Sequence, residues 1–344
     1  MGSPRGMVAV ACLVLAVAMQ GLLSIAVAET AANHVARCQG SDVLAELAAR
    51  DPAAMARIDK AAAEIANGEA NLWRVSRPGI APSHLFGTIH LTDERVTTLS
   101  PAVTAALASA RKLALEIAEI SPASFAAAMK DLGDTLVFEG DRSLTRELHG
   151  DELGTARVAL EGAGFPAQAL DRLRPWLVTM LTAVSSCERA RIKAGLKPLD
   201  FRLASLARQR GLPVIGLETI ASQMRALASV PDGDQLAVLR VSLKSLSRSG
   251  DLMETMVRRY VARETAKVLP MNEELARAAG LESRAFASFH TALLSDRNPR
   301  LRDAALPLLA EGGAFVAVGA LHLVGRDGLV ALFREAGYEV TAVE

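Results

Sequence analysis

The sequence predicts an α+β fold, a mixed central β-sheet flanked by helices and assembled from two related halves. Three observations predict it. Two apolar, strand-like runs end in the same short pattern, Gly87-Thr88-Ile89-His90 and Gly319-Ala320-Leu321-His322. Each is followed by a loop, a helical pattern and a further apolar run. Between them lies a long stretch with helical spacing, of which residues 121–195 read as a large helical insertion.

The first residues, "MGSPRGMVAVACLVLAVAMQGLLSIAVAET", have Arg5 ahead of an almost wholly apolar run from Met7 to Val27. Ala26-Val27-Ala28 then gives the small-x-small pattern of a cleavage site. This predicts a signal peptide over 1–28 and a secreted, periplasmic protein. An apolar run of about 20 residues would also suffice for a retained membrane anchor; the many small residues and the cleavage pattern favour the signal. There is no twin-arginine pair, and Cys12 lies too early for a lipoprotein site. No later stretch reads as a membrane span. Lys+Arg and Asp+Glu are equal at 38 each, with no basic patch interleaved with aromatics, which argues against a nucleic-acid partner. Oligomeric state is left open. Once Cys12 leaves with the signal, Cys38 and Cys187 remain, and in an oxidising compartment they are expected to form a disulfide. Two independent buried thiols are the alternative.

Residues 29–70 read as an alanine-rich helical segment that stops at Asn67-Gly68. "NLWRVSR" and "SHLFGTIH" read as two strands joined by a turn at Arg77-Pro78-Gly79. Ser100-Pro101 is a helix start, a capping serine with proline at the first helical position, and the helix leads into the strand "LALEIAEI". After the helical insertion, "DFRLASLARQRG" and "LPVIGLET" read as a helix and a short strand returning to the sheet. Residues 220–294 are helical again, with breaks expected around Pro231-Asp232-Gly233 and Pro270. Asn298-Pro299 opens another helix that ends at Gly312-Gly313. "GGAFVAVGALH" then reads as a buried strand, Arg326 to Ala336 as a helix capped by Gly337, and "YEVTAVE" as the last strand. No linker separates further domains, so residues 71–344 are expected to form one domain.

Familiar catalytic signatures are missing: no G-x-S-x-G, H-E-x-x-H, C-x-x-C or G-x-x-x-x-G-K-[ST] occurs. What remains is the pair of G-x-x-H patterns. Gly87 and Gly319 let a strand end turn sharply or admit another group close to the backbone. His90 and His322 then reach the sheet edge, where open sheets build sites and where imidazole can bind a metal or act as acid and base. Two packed core histidines would explain the same spacing. Glu116 interrupts a buried strand, which costs free energy unless it is paired or ligating; strand alternation carrying it to solvent is the alternative. If the first half is a strand–helix–strand unit, Glu116 lies on the strand beside the one ending at His90. Arg297, just before the Asn298 helix, can bind a carboxylate or stabilise an oxyanion, and Asn298 itself is explained as a cap. Glu218, at a strand end, is a second buried-carboxylate candidate. His34, His84, His149 and His290 have no comparable setting.

"LWRVSR…HLFGTIHLTDE", "LALEIAE", "PLDFRLASLARQRGLPVIGLET", "LLSDRNPRL" and "FVAVGALHLVGRDGLVALFREAGYEV" occur in an order that resembles the TraB/GumN family, within the TraB/PrgY/GumN/Tiki superfamily. The resemblance covers roughly residues 70–344. It implies a fold similar to erythromycin-esterase-like and ChaN haem-binding proteins, and one site in which His90 and His322 hold a divalent metal (Zn, Mn or Co) with Glu116 and Arg297 as catalytic groups. Tiki members act as metal-dependent proteases, so the resemblance implies a peptidase-like hydrolase acting on a peptide or small-molecule substrate. Glu116 would be either a third ligand or the base that activates water. A non-catalytic protein binding haem or a peptide on the same fold is the alternative. The chain departs from many members at Ala118, where they carry an aspartate.

Overall fold

The computed structural model describes residues 38–344. The expected signal peptide, Cys12, His34 and the start of the N-terminal helical segment lie outside the described residues. Among the described residues, six strands form one sheet: β1 Leu72–Ser76, β2 Ser83–Thr88, β3 Lys112–Leu115, β4 Val214–Gly216, β5 Ala314–Gly319 and β6 Glu339–Ala342. Their order is β4-β3-β5-β2-β1-β6. The first four strands of that order are mutually parallel, and β1 runs antiparallel to both β2 and β6, so the sheet is mixed.

The parallel centre explains the sequence pattern there. A strand covered on both faces needs apolar side chains at successive positions, and β5 has them from Ala314 to Val318, all buried. Phe315 and Ala317 face one core with Phe86, Leu113 and Leu115, packed under the helical insertion. Val316 and Val318 face the other, with Leu85, Ala114 and the helices Asn298–Glu311 and Leu329–Glu335. A third cluster joins the N-terminal helices Val43–Arg50 and Pro52–Ala63 to Leu252, Met256, Val268 and Met271. The Ser100 helix start is where the sequence puts it; Ser100, and likewise Asp42 and Asp51 ahead of the two N-terminal helices, accept hydrogen bonds from the first-turn N–H groups they precede. Cys38 and Cys187 are joined as a disulfide, tying the N-terminal segment to the helix Ser186–Lys193 of the insertion. No helix among the described residues is long and apolar enough to cross a membrane.

Three local expectations are corrected. β3 is not beside β2: β5 lies between them, so Glu116 adjoins the strand that leads to His322. The β2–helix–β3 crossover skips one position, and the second half fills it, which interleaves the two halves. Pro270 does not break a helix, because it lies in the first turn of Val268–Ala278, where its missing N–H has no intrahelical partner to lose. The break falls earlier, around Arg263, whose φ is +60°. The last helix begins at Leu329 rather than Arg326.

Gly87 shows how tightly the halves interlock. A β-carbon there would stand 3.0 Å from both Cα and Cβ of Ala320 and 3.1 Å from Leu323 Cδ2. The turn carrying His322 therefore rests directly on the β2 backbone. Gly87→Ala is expected to destabilise the chain by about 1–3 kcal/mol through overpacking, read as a lower midpoint in urea denaturation with an unchanged slope.

Candidate active site

The four parallel strands bring their C-terminal ends to one edge, and the candidate residues collect there. His90 follows β2, Glu116 follows β3, Glu218 follows β4, and His322 lies in the turn Ala320–His322 after β5. Arg297 enters from the side, between a π-helical turn, Thr291–Ser295, and the helix Asn298–Glu311. His90, Glu116, Arg297 and His322 are buried, as is the side chain of Glu218. The structure thus assembles every chemically active residue singled out above.

The segment 188–200 forms a cradle for the His90 loop. Glu188 Oε1 accepts from Thr92 N–H at 2.6 Å, Arg191 Nη2 donates to Thr92 O at 3.2 Å, and Leu199 N–H donates to Leu91 O at 3.2 Å. The neighbouring Cys187 carries the disulfide, so the cradle is covalently anchored. At its end Asp200 Oδ2 lies 2.6 Å from His90 Nδ1, while Thr88 Oγ1 donates to Asp200 Oδ1 at 2.7 Å. A carboxylate beside Nδ1 fixes the proton there and leaves Nε2 facing the site. Burial alone would lower the pKa of His90; the charge and hydrogen bond of Asp200, helped by Glu116, outweigh it and raise the pKa above the ordinary value.

Arg297 joins the two glutamates. Its Nη2 donates to Glu116 Oε2 at 2.6 Å and to Glu218 Oε1 at 2.5 Å, and Nε lies 3.2 Å from both Glu218 oxygens. Nη1 donates to Leu293 O at 3.0 Å, inside the π-helical turn. Gln223 Nε2 donates to Glu116 Oε2 at 2.9 Å, and Gly319 N–H donates to Glu116 Oε1 at 2.7 Å. Burial opposes ionisation of Glu116, but the Arg297 guanidinium, the neighbouring imidazoles and the Gly319 N–H hold its carboxyl well below the usual range.

His322 is anchored differently. Asn298 Nδ2 donates to Asp327 O at 2.8 Å, which orients the amide so that Oδ1 faces His322 Nδ1 at 2.6 Å. The imidazole must then donate from Nδ1 and present a lone pair at Nε2. Burial and the Arg297 charge push its pKa down to about 3. The Asn298 side chain is therefore a site residue, and it does not cap its helix.

The lone pair of His322 Nε2 faces the Glu116 carboxylate, with Oε1 3.9 Å away. At Gly319 a β-carbon would lie 3.3 Å from Glu116 Oε1 and 3.6 Å from both His90 Nε2 and His322 Cδ2. The three side chains thus converge on the space that glycine leaves open. Counting Asp200, three carboxylates meet one guanidinium, so the cluster has excess negative charge whenever His90, like His322, is neutral. Two imidazole lone pairs, an anionic oxygen and that charge suit a divalent cation by donor chemistry, although among the described residues no three His, Cys, Asp or Glu side chains are already clustered at metal-holding spacing.

This cluster forms the polar floor of a cavity with about 100 Å³ of free space, walled by Leu252, Met253, Met256, Val268, Leu293 and Leu294. Tyr260, also in its wall, donates its hydroxyl to Gly87 O at 2.8 Å. On the far side of His90, Ala118 and Asp200 border a second space of about 100 Å³.

The sequence profile of the TraB/PrgY/gumN family matches residues 71–342. The chain belongs to this family. Two similar proteins, each called "Uncharacterized protein YbaP", come from Shigella flexneri and Escherichia coli (strain K12). Each is 25% identical over 260 residues, 76% of this chain and 90% of the relative. No solved structure matches. The whole cluster lies within the matched TraB/PrgY/gumN span. Sequence reasoning missed Asp200 and Gln223: an acid in a first helical turn and a glutamine in a capped helix look like ordinary helix residues.

Two outcomes follow for this TraB/PrgY/gumN protein in chelator-treated form. In Asp200→Asn the carboxylate that raises His90 is gone and burial dominates, so its pKa should fall below the ordinary 6.5, read from histidine ring signals by NMR. His322 takes up a proton near 6.5 when unfolded but only near 3 when folded. Between those values the unfolded chain holds more protons, so this group's contribution is complete above pH 6.5 and is lost as pH falls towards 3. His90 has the opposite sign, contributing below 6.5 and losing that contribution as pH rises through its raised value. His322→Gln should therefore flatten the acid limb of stability against pH, measured by urea denaturation at each pH.

Proposed function

We propose that this TraB/PrgY/gumN protein is a secreted, periplasmic, divalent-metal-dependent hydrolase of peptide-like substrates. The observation that carries the reading is the facing of His322 Nε2 and Glu116 Oε1 across 3.9 Å, beside His90 Nε2, with a proton donor on neither atom. Such a gap between electron donors is relieved by a cation. A zinc, manganese or cobalt ion held by His90, His322 and Glu116 would polarise a carbonyl and supply a nucleophilic water.

The chain's own residues divide the remaining work. Asp200 and Asn298 hold the Nδ1 protons, so both imidazoles present Nε2. Glu116, with both oxygens hydrogen-bonded and its carboxyl kept ionised, suits a ligand better than a base, because a strongly depressed pKa makes a poor proton acceptor near neutrality. Arg297, whose Nε and Nη2 are spent on the two glutamates, keeps Glu116 charged and fixed in place. The apolar walls exclude water and leave the polar floor as the place where a substrate amide can bond. Haem fits less well, because the rings and Glu116 converge beside Gly319 with no plane for a macrocycle between them.

The test uses the purified full chain. Elemental analysis should find about one equivalent of a divalent metal in the wild type and none in folded His90→Ala/His322→Ala. Cleavage of a mixed peptide library, followed by mass spectrometry, should disappear with chelator or in the double variant. Asp200→Asn should weaken metal binding by about 10–100-fold. Equal metal content in both folded proteins, or cleavage that survives the chelator, overturns the proposal. A Soret band on haem titration, lost in the double variant, would support the haem-binding alternative instead.

A further inference from the structure

We infer that the chamber above the cluster is a specificity pocket for one neutral aliphatic side chain of a peptide-like ligand, of valine, leucine or methionine size. As a statement about substrate it rests on the hydrolase reading; as a statement about binding it stands without metal or turnover.

Each G-x-x-H motif supplies two things to the chamber. The histidine reaches the floor, and the residue before it, Ile89 or Leu321, is half-buried and lines the same space. The duplicated motifs therefore place an apolar contact beside each imidazole, at matching positions. Leu252, Met253, Met256 and Val268 complete the wall away from the sheet. Among the described lining residues the charged or ionisable groups other than the deeply hydrogen-bonded Tyr260 are His90, Glu116, Arg297 and His322, all on the floor.

Two physical arguments set the ligand class. A Lys, Arg, Asp or Glu side chain entering the upper chamber would lose its hydration with no oppositely charged partner in the wall, which excludes it. The floor can still bond a backbone amide, as pockets of this kind fix orientation with a few polar groups beneath apolar walls. Size gives the second limit. An engineered apolar cavity of about 150 Å³ takes a benzene ring, and the free space here is about 100 Å³. The smaller space favours an aliphatic group over an aromatic ring. Met256 is a part of that wall whose truncation would enlarge the chamber, and it stands on the helix Ser249–Val261, away from the floor residues.

The experiment measures binding of four probes to chelator-treated full-length chain by saturation-transfer NMR and competition: N-acetyl-L-leucinamide, N-acetyl-L-phenylalaninamide, N-acetyl-L-lysinamide and N-acetyl-L-aspartic acid amide. The leucine probe should bind about tenfold or more tightly than either charged probe, in keeping with discrimination by an apolar pocket. Met256→Ala should shift the ratio of phenylalanine to leucine probe by about tenfold towards phenylalanine. Such a gain of binding cannot come from misfolding. Absent or side-chain-indifferent binding, or a Met256→Ala ratio equal to that of wild type, overturns the inference. Failure of the hydrolase reading looks different: aliphatic selectivity persists while the metal-loaded chain cleaves no peptide. Cleavage without side-chain preference retains the hydrolase and discards the pocket.

Discussion

The buried bridge from Arg297 to Glu116 and Glu218 is the constraint on which the rest of the site depends. It joins the ends of two parallel strands, β3 and β4, to the junction between a π-helical turn and the helix Asn298–Glu311. Removing charges from water is costly, and losing one partner of a buried pair typically costs about 3–5 kcal/mol. An apolar core would hold the three elements together more cheaply. The retained charges make sense as the means of keeping a carboxylate ionised and rigid at the centre of the cluster.

Around that bridge the two G-x-x-H motifs are used unequally. The same backbone pattern ends two strands, yet His90 is backed by a carboxylate and His322 by an amide. The first arrangement draws a proton to the ring, and the second, beside Arg297, repels one. Environments that push two like groups apart are the usual means of assigning different roles to them. The difference arises from the supports: Asp200 comes from the helix Leu199–Gln209 that follows the insertion, Asn298 from the helix packed on the opposite face of the sheet. The chain leaving the insertion, from Glu188 to Asp200, grips the His90 loop, and Cys187 beside it is joined to Cys38.

Much of the fold was legible in the chain. Strands β1, β2 and β5, the Ser100-Pro101 helix start and the helical insertion follow from local rules, because caps, turns and apolar runs act within a few residues. Strand order does not, and Glu116 was placed beside the wrong strand for that reason. The crossover from β2 to β3 leaves an empty position that only a strand about 200 residues later fills. His90, His322, Glu116, Arg297 and Glu218 could be picked out because each is polar where its surroundings are apolar. Asp200 and Gln223 gave no such signal, since each sits in a helix where its residue type is unremarkable.

By itself, then, the sequence determined the α+β class, the two glycine–histidine strand ends, the paired cysteines and the family resemblance. Those depend on residue type and short spacing. Tertiary structure alone decided which imidazole nitrogen faces the site, which carboxylate is held ionised, and which apolar residues wall the chamber. Several of these properties depend on groups more than a hundred residues apart meeting within hydrogen-bond range, Thr88 with Asp200 and Glu116 with Arg297 among them. Local periodicity carries no information about such meetings, because they are set by how the sheet is ordered and how the helices pack on it.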